Sequence, residues 1–253
     1  MGPKGNVLIA KRGRDSYLRT CLHYLNKANS SNKYDIQITV IDDSDYLPND
    51  TKLDHISVNY IQFKTGSRFF NKAKLLNVGL RKMRPDFDWV SVVDIDMVYA
   101  PSFFDSVCID RPGCPYIIST GYKLDDISTA VVMTTHTSFE EILPLVTGEP
   151  FTNAPSQITL ARSTINLLSR IFDSDKIFCE EFEGWGGEDS EMSFKARELA
   201  KHQLITKYHI PNMWYHLWHE DSRDETQFQK NLEIFEEKRV KNNTIIKRFR
   251  NSS

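Results

Sequence analysis

The stretch Trp89-Val90-Ser91-Val92-Val93-Asp94-Ile95-Asp96 decides how this chain is read. An apolar run broken only by Ser91 has no polar face, which is the pattern of a strand covered on both sides. It then gives way to two carboxylates. The same kind of unit recurs toward the N-terminus. Asn6-Val7-Leu8-Ile9-Ala10 reads as a buried strand, and a helix with apolar Tyr17, Leu18, Cys21, Leu22 and Leu25 follows it. Residues 36–41 read as a second strand that ends in Asp42-Asp43-Ser44-Asp45, and residues 56–63 as a third. Asn71 is placed to cap a helix through Lys74-Leu75-Leu76-Asn77-Val78-Gly79. Strands alternating with helices predict an α/β fold with a mostly parallel central sheet flanked by helices. Ligands of such sheets bind at the carboxyl ends of the strands, and the acidic segments after the second and fourth strands both fall there.

The 253 residues are 40% hydrophobic and 26% charged, the balance of a soluble globular protein. No run approaches the roughly 18 apolar residues of a membrane span. A net charge of −2 is not the footprint of a nucleic-acid binder. Cys21, Cys108, Cys114 and Cys179 form no CxxC pair and no zinc spacing, so mostly buried free thiols in a reducing compartment are expected. Met1-Gly2-Pro3-Lys4-Gly5 lacks the apolar core of a signal peptide. That points to a cytoplasmic protein and makes the sequons at Asn29, Asn49, Asn242 and Asn251 chance matches.

In the second half, Tyr116 to Ser119, Ala130 to Thr134 and Ile158 to Ala161 read as strands. Thr164 to Phe172 and Glu188 to Leu199 read as helices, and Met213 to His219 as a strand-like aromatic stretch. Asp224 to Val240 reads as an amphipathic helix with Phe228, Leu232 and Phe235 on one face. The basic tail 247–253 is expected to be frayed and solvated, with peripheral membrane contact as the alternative.

Four constellations carry candidate chemistry. Asp94 and Asp96 leave a strand two residues apart, hence on one face. Their hard oxygens suit Mg²⁺ or Mn²⁺, although a turn explains the pair as plainly. In Gly184-Trp185-Gly186-Gly187-Glu188-Asp189 the glycines admit close backbone approach and Trp185 offers a flat face to a sugar ring. Glu188 and Asp189 fall in a first helical turn, where the dipole favours their ionised form, as a general base requires. An ordinary helix start explains the acids but not the tryptophan among glycines. His216 and His219 follow in an aromatic stretch, and one of them would complete a metal shell with Asp96. Side chains three apart on a strand point to opposite faces, so only one is expected to be a ligand. Arg12 and Arg14, after the first strand, present forks that match phosphate oxygens. Phe70 is placed to stack on a base, and Asp42 or Asp43 to accept from a nucleobase N–H or simply to form a turn.

Together these residues resemble the metal-dependent GT-A glycosyltransferases, in particular the β-1,4-galactosyltransferase family and bacterial chondroitin-polymerase-type domains. Phe70-Asn71-Lys72-Ala73-Lys74-Leu75-Leu76-Asn77-Val78-Gly79 is similar to that family's FNRAKLLNVG. Asp94-Ile95-Asp96 is similar to its DVD, Gly184 to Asp189 to its GWGGED, and Lys11 to Arg14 to its FRNR. The matches keep the family's order from about residue 7 to 225. Ser156-Gln157 stands where the family has a glycine pair, Ser190 where it often has a further acid, and residues 123–151 match nothing in it.

The resemblance implies one GT-A domain over 1–253. It would comprise a nucleotide-binding half (1–100), a donor-sugar and acceptor half (101–222), and a C-terminal helix and tail (223–253). It implies Arg12, Arg14 and Lys72 near the nucleotide and its diphosphate, Phe70 and Asp43 at the uracil, and Asp94 at the ribose or uridine. It implies Asp96 and His219, with His216 as the fallback, as ligands of Mn²⁺ or Mg²⁺. Trp185 and the Gly187 backbone would line the sugar site, Glu188 would bind a sugar, and Asp189 would be the base. The implied activity is inverting transfer of a sugar, galactose or N-acetylgalactosamine favoured, from a UDP-sugar to a hydroxyl of a glycan acceptor. The implied setting is a bacterial cytoplasm, with a trimmed Golgi-lumenal domain as the alternative. A nucleotidyltransferase and a catalytically silent nucleotide-sugar or glycan-binding module remain as other readings.

Overall fold

The computed structural model describes residues 2–45, 53–108, 113–146, 157–184, 186–220 and 223–252. The first half alternates strand and helix as the periodicity predicts. Its elements are β1 (Lys4–Lys11), α1 (Asp15–Ala28), β2 (Asp35–Asp42), β3 (Ser57–Gln62), α2 (Lys72–Lys82) and β4 (Trp89–Val92). Then come β5 (Met97–Tyr99), α3 (Phe103–Val107), β6 (Pro115–Lys123), α4 (Asp126–Thr135) and α5 (Phe139–Ile142). The chain closes with β7 (Ile158–Ala161), α6 (Arg162–Phe172), α7 (Glu188–Lys201), β8 (Thr206–His216) and α8 (Glu225–Ser252).

One eight-stranded sheet runs in the order β3-β2-β1-β4-β7-β6-β8-β5. Its first four strands are parallel, β7 is antiparallel to β4 and β6, and β5 is antiparallel to β8. The register sets Lys11 beside Asp42 and Leu8 beside Val92, so β1, β2 and β4 finish at one edge. β1, β2 and β4 are largely buried because both of their faces are covered, while the edge strand β3 is partly exposed. Val7 and Ile9 pack with Leu18, Leu22 and Leu25 of α1, while Leu8 packs with Ala73 and Leu76 of α2. Each such fully buried aliphatic contributes about 2 kcal/mol. All four cysteines are free, with Cys21 and Cys108 buried. Among the described residues no helix is long and apolar enough to cross a membrane.

Three expectations fail locally. Ala130 to Thr134 lie in a helix, not a strand. The Asp125 side chain accepts from the Ser128 N–H at 2.7 Å, and Ser128, Thr129 and Val132 form a buried face at helical spacing. The cap and that face outweigh the β-branched composition. The C-terminal tail is helical to Ser252 because Ile246 is fully buried and Ile245 and Phe249 pack beside it. β8 begins at Thr206, seven residues before the aromatic stretch that marks it in the sequence.

α1 and α4 meet through two histidines. The rings of His23 and His136 stack with centroids 4.2 Å apart, and His23 Nε2 is buried with no hydrogen-bond partner among the described residues. Burial, and then the neighbouring His136, push His23 down to about 4. A folded-state value below the unfolded one, about 6.5, means that the unfolded chain binds the extra proton. Stability is therefore lost as pH falls from about 6.5 toward 4. His23→Gln should lose less Tm than the wild type between pH 7 and pH 5, as read by differential scanning calorimetry. Parallel pH dependence in the two proteins would remove His23 from that account.

Candidate active site and metal centre

β4 ends at Val92, so Asp94 and Asp96 sit in the turn that leads into β5 and not on a strand face. Pairing of β5 with β8 sets Met97 opposite His216. The Leu217 N–H then donates to the Asp96 carbonyl at 2.8 Å, and the chain turns back as it leaves β8. His219 Nε2 lies 3.1 Å and His216 Nε2 3.9 Å from Asp96 Oδ2. The expectation that the two histidines face apart is wrong because the strand stops at His216. Tyr17 Oη donates to the Trp218 carbonyl at 2.9 Å and its ring meets His219 edge-on, which steadies this segment.

Asp96, His216 and His219 offer ligand atoms within 4.8 Å of one another. Neighbouring ligands of an octahedral ion with bonds of about 2.1 Å lie about 3 Å apart, which the Asp96–His219 pair matches. The Glu220 carbonyl, 2.9 Å from His219 Nδ1, accepts from an Nδ1–H, and Nε2–H donates to Asp96 until loss of that proton frees the Nε2 lone pair for an ion. Two imidazoles and a carboxylate fit Mn²⁺ better than Mg²⁺. Burial alone would raise the Asp96 carboxyl, but the His219 hydrogen bond and the charges of His216, His219 and Arg14 hold it below the carboxylate range. The hydrogen bond to Asp96 raises His219, whereas burial lowers His216.

A second group gathers around Lys72. Asn71 Oδ1 accepts from the Lys74 N–H at 2.8 Å and caps α2, while Asn71 Nδ2 donates to the Glu180 carbonyl at 2.9 Å. The Gly184 N–H donates to the Phe70 carbonyl at 2.7 Å. The start of α2 is thereby tied to the loop before α7. Lys72 Nζ lies 2.8 Å from Asp94 Oδ1, 3.3 Å from both Asp189 oxygens and 4.0 Å from Glu188 Oε1. Burial opposes the ammonium, but Asp189, Asp94 and Glu188 outweigh it and raise Lys72. Burial and then Asp189 push Glu188 up to about 8. Burial also raises Asp189, against Lys72. The expectation that the helix start favours ionised acids is thus reversed: desolvation exceeds the dipole here. Gly187, with φ 104°, precedes α7, and a Cβ there would sit 2.3 Å from Phe182 Cδ1. Trp185 lies outside the described residues.

A third group closes the β1–β2 edge. Arg12 Nε donates to Asp43 Oδ2 at 3.1 Å and Nη2 also contacts that oxygen. Thr65 donates to Asp43 from its N–H at 3.0 Å and its hydroxyl at 2.7 Å. These partners hold Asp43 below the carboxylate range despite its burial. Phe70 is half-buried against Ile41, Leu75 and Val78. Arg14 is separate from Arg12: its Nη1 donates to Asp96 Oδ2 at 3.0 Å.

Sequence reasoning missed three contributors. Lys11, fully buried, pairs with Asp15 at 2.6 Å and Asp42 at 2.7 Å. Thr65 anchors Asp43, and Gln157 Nε2 donates to Asp94 Oδ2 at 3.2 Å. A lysine closing an apolar strand was the one available signal. The Thr65 and Gln157 contacts span 22 and 63 positions and leave no local trace.

No family model and no curated protein matches the chain. Solved structures do. A variant of Drosophila β1,4-galactosyltransferase 7, solved with manganese, UDP-Gal and xylobiose, is 16% identical; the match covers 89% of this chain and 79% of that one at a TM-score of 0.51. Residues 1–349 of S. aureus TarS in complex with UDP-GlcNAc are 14% identical, covering 96% and 70% at 0.56. The mannosyltransferase PcManGT from Pyrobaculum calidifontis, in complex with GDP-Man and Mn²⁺, is 14% identical, covering 92% and 61% at 0.52. The chain has the fold of the GT-A glycosyltransferases.

Proposed function

We propose that the chain is an inverting, Mn²⁺-dependent glycosyltransferase that moves galactose or N-acetylgalactosamine from a UDP-sugar to a hydroxyl of a glycan acceptor. One observation carries the reading. Lys72 touches both Asp94, two residues from the Asp96–His216–His219 cluster, and Asp189, a half-buried carboxylate at the start of α7. A divalent-ion site and a base thus meet at one cation. Similar folds solved with UDP-Gal and manganese, and with GDP-Man and Mn²⁺, support it.

In this reading Asp189 takes the proton of the acceptor hydroxyl as its oxygen attacks the anomeric carbon. The bond from that carbon to the β-phosphate oxygen breaks on the opposite face, and UDP leaves. Burial makes Asp189 a stronger base than an exposed aspartate. Asp96, His219 and His216 would hold the Mn²⁺, which when bound would supply charge stabilisation for the leaving diphosphate. Arg14 and Lys72 serve the diphosphate, and Asp94 the ribose. Arg12, Asp43 and Phe70 form the uracil end. Glu188, Trp185 and the Gly187 backbone line the sugar site. A single base suffices for inversion; a double displacement needs a nucleophile beneath the sugar as well.

UDP release and product anomer, followed over a panel of UDP-sugars and glycan acceptors with Mn²⁺, test the reading. Asp189→Asn should lower turnover about a thousandfold with donor affinity within a few-fold, and Asp96→Ala should lose Mn²⁺ stimulation. The raised Asp189 carboxyl must be deprotonated to act, so activity should fall on the acid side at a higher pH than an exposed aspartate would set. A retained anomer would overturn inversion. Release of inorganic diphosphate would indicate nucleotidyl transfer, and donor binding without turnover would indicate a binding module.

A further inference from the structure

Three cations lie at and just beyond the end of β1, and they are held differently. Lys11 is sealed between Asp15 and Asp42. Arg12 is committed to Asp43 and to the Thr65 hydroxyl. Arg14 instead contacts the candidate metal ligands themselves. Its Nη1 donates to Asp96 Oδ2 at 3.0 Å, the oxygen that His219 Nε2 approaches at 3.1 Å, and its Nη2 lies 3.3 Å from His219 Nδ1. A divalent ion between Asp96 and the histidines needs that same oxygen. A guanidinium and a divalent ion competing for one carboxylate oxygen repel each other.

The backbone supplies a second observation. Arg14 adopts φ 57°, ψ 42° at the N-cap of α1 and makes no side-chain cap hydrogen bond. Asparagine suits both the left-handed conformation and the cap, so local stability does not account for an arginine here. The Arg14 side chain is 36% exposed, which leaves it room to change partners, unlike the fully buried Lys11.

We propose that Arg14 is an exchangeable counter-ion that neutralises Asp96 until a divalent ion takes that carboxylate, and then transfers to the diphosphate of the nucleotide. Metal and nucleotide diphosphate are thereby coupled through one side chain. The inference rests on the metal-dependent reading above and adds a thermodynamic linkage to it. By reciprocity, whatever UDP does to Mn²⁺ affinity through Arg14, Mn²⁺ does to UDP affinity.

The test measures Mn²⁺ binding by electron paramagnetic resonance of the free ion in wild type, Arg14→Asn and Asp96→Ala. Each is titrated alone, with saturating uridine, and with saturating UDP corrected for Mn²⁺–UDP formation in solution. Arg14→Asn satisfies the backbone and cap, so its Tm should match or exceed that of wild type. Without nucleotide it should bind Mn²⁺ about tenfold more tightly than wild type. UDP should strengthen Mn²⁺ binding by wild type at least several-fold more than by Arg14→Asn, and uridine, which carries no phosphate, should strengthen neither. Mn²⁺ binding by Arg14→Asn that is equal to or weaker than wild type without nucleotide would overturn the exchange and make Arg14 a fixed support of Asp96. Asp96→Ala binding Mn²⁺ like wild type, or a wild type that binds none, would instead defeat the metal site itself, and the exchange with it.

Discussion

The ammonium of Lys72 is the charge around which the site closes. Asp94 from the β4–β5 turn and Glu188 and Asp189 from the start of α7 all lie within 4.0 Å of it. Two unit charges 4 Å apart interact by about 4 kcal/mol at an effective dielectric of 20, so three carboxylates crowd there only with a cation among them. The lysine side chain is 10% exposed, and partial desolvation strengthens both its attraction and the repulsion it offsets. The consequence is architectural as well as chemical. One side chain from the first turn of α2 fixes how the parallel half of the sheet meets the helix that carries the candidate base.

The same logic repeats along the edge where β1, β2 and β4 end. Each acid there has a cation matched to it: Asp42 has Lys11, Asp43 has Arg12 and Asp96 has Arg14. Burial grades them from the sealed Lys11 to the partly exposed Arg14. That gradient separates contacts that hold the fold from a contact able to yield to a ligand. The glycine loop before α7 contributes shape: Gly187 leaves Phe182 room to pack beneath the first turn that carries Glu188 and Asp189.

The parallel half of the fold was legible because β1 and β4 carry apolar runs on both faces and its helices carry one stripe. Asn71 capping α2 and the acidic start of α7 were legible from local chemistry. The α4 segment was not, since Val131, Val132, Thr134 and Thr135 favour a strand while the Asp125 cap and a buried face on the neighbouring cluster settle a helix. The approach of both histidines to Asp96 was hidden because it depends on where β8 stops. The raised carboxyls of Glu188 and Asp189 were misjudged because the sequence reveals a helix start but not the burial that outweighs its dipole.

Thermal and chemical unfolding of Lys72→Met against wild type across pH 5 to 8 tests the central charge balance most directly. Removing the ammonium leaves Asp94 and Asp189 uncompensated at pH 8, with Glu188 pushed toward its neutral form, and a stability deficit of about 3 kcal/mol is expected there. Glu188 and Asp189, raised further without their cation, take up protons as pH falls, so the deficit should shrink markedly by pH 5. A deficit of equal size at both ends of the range would contradict the account.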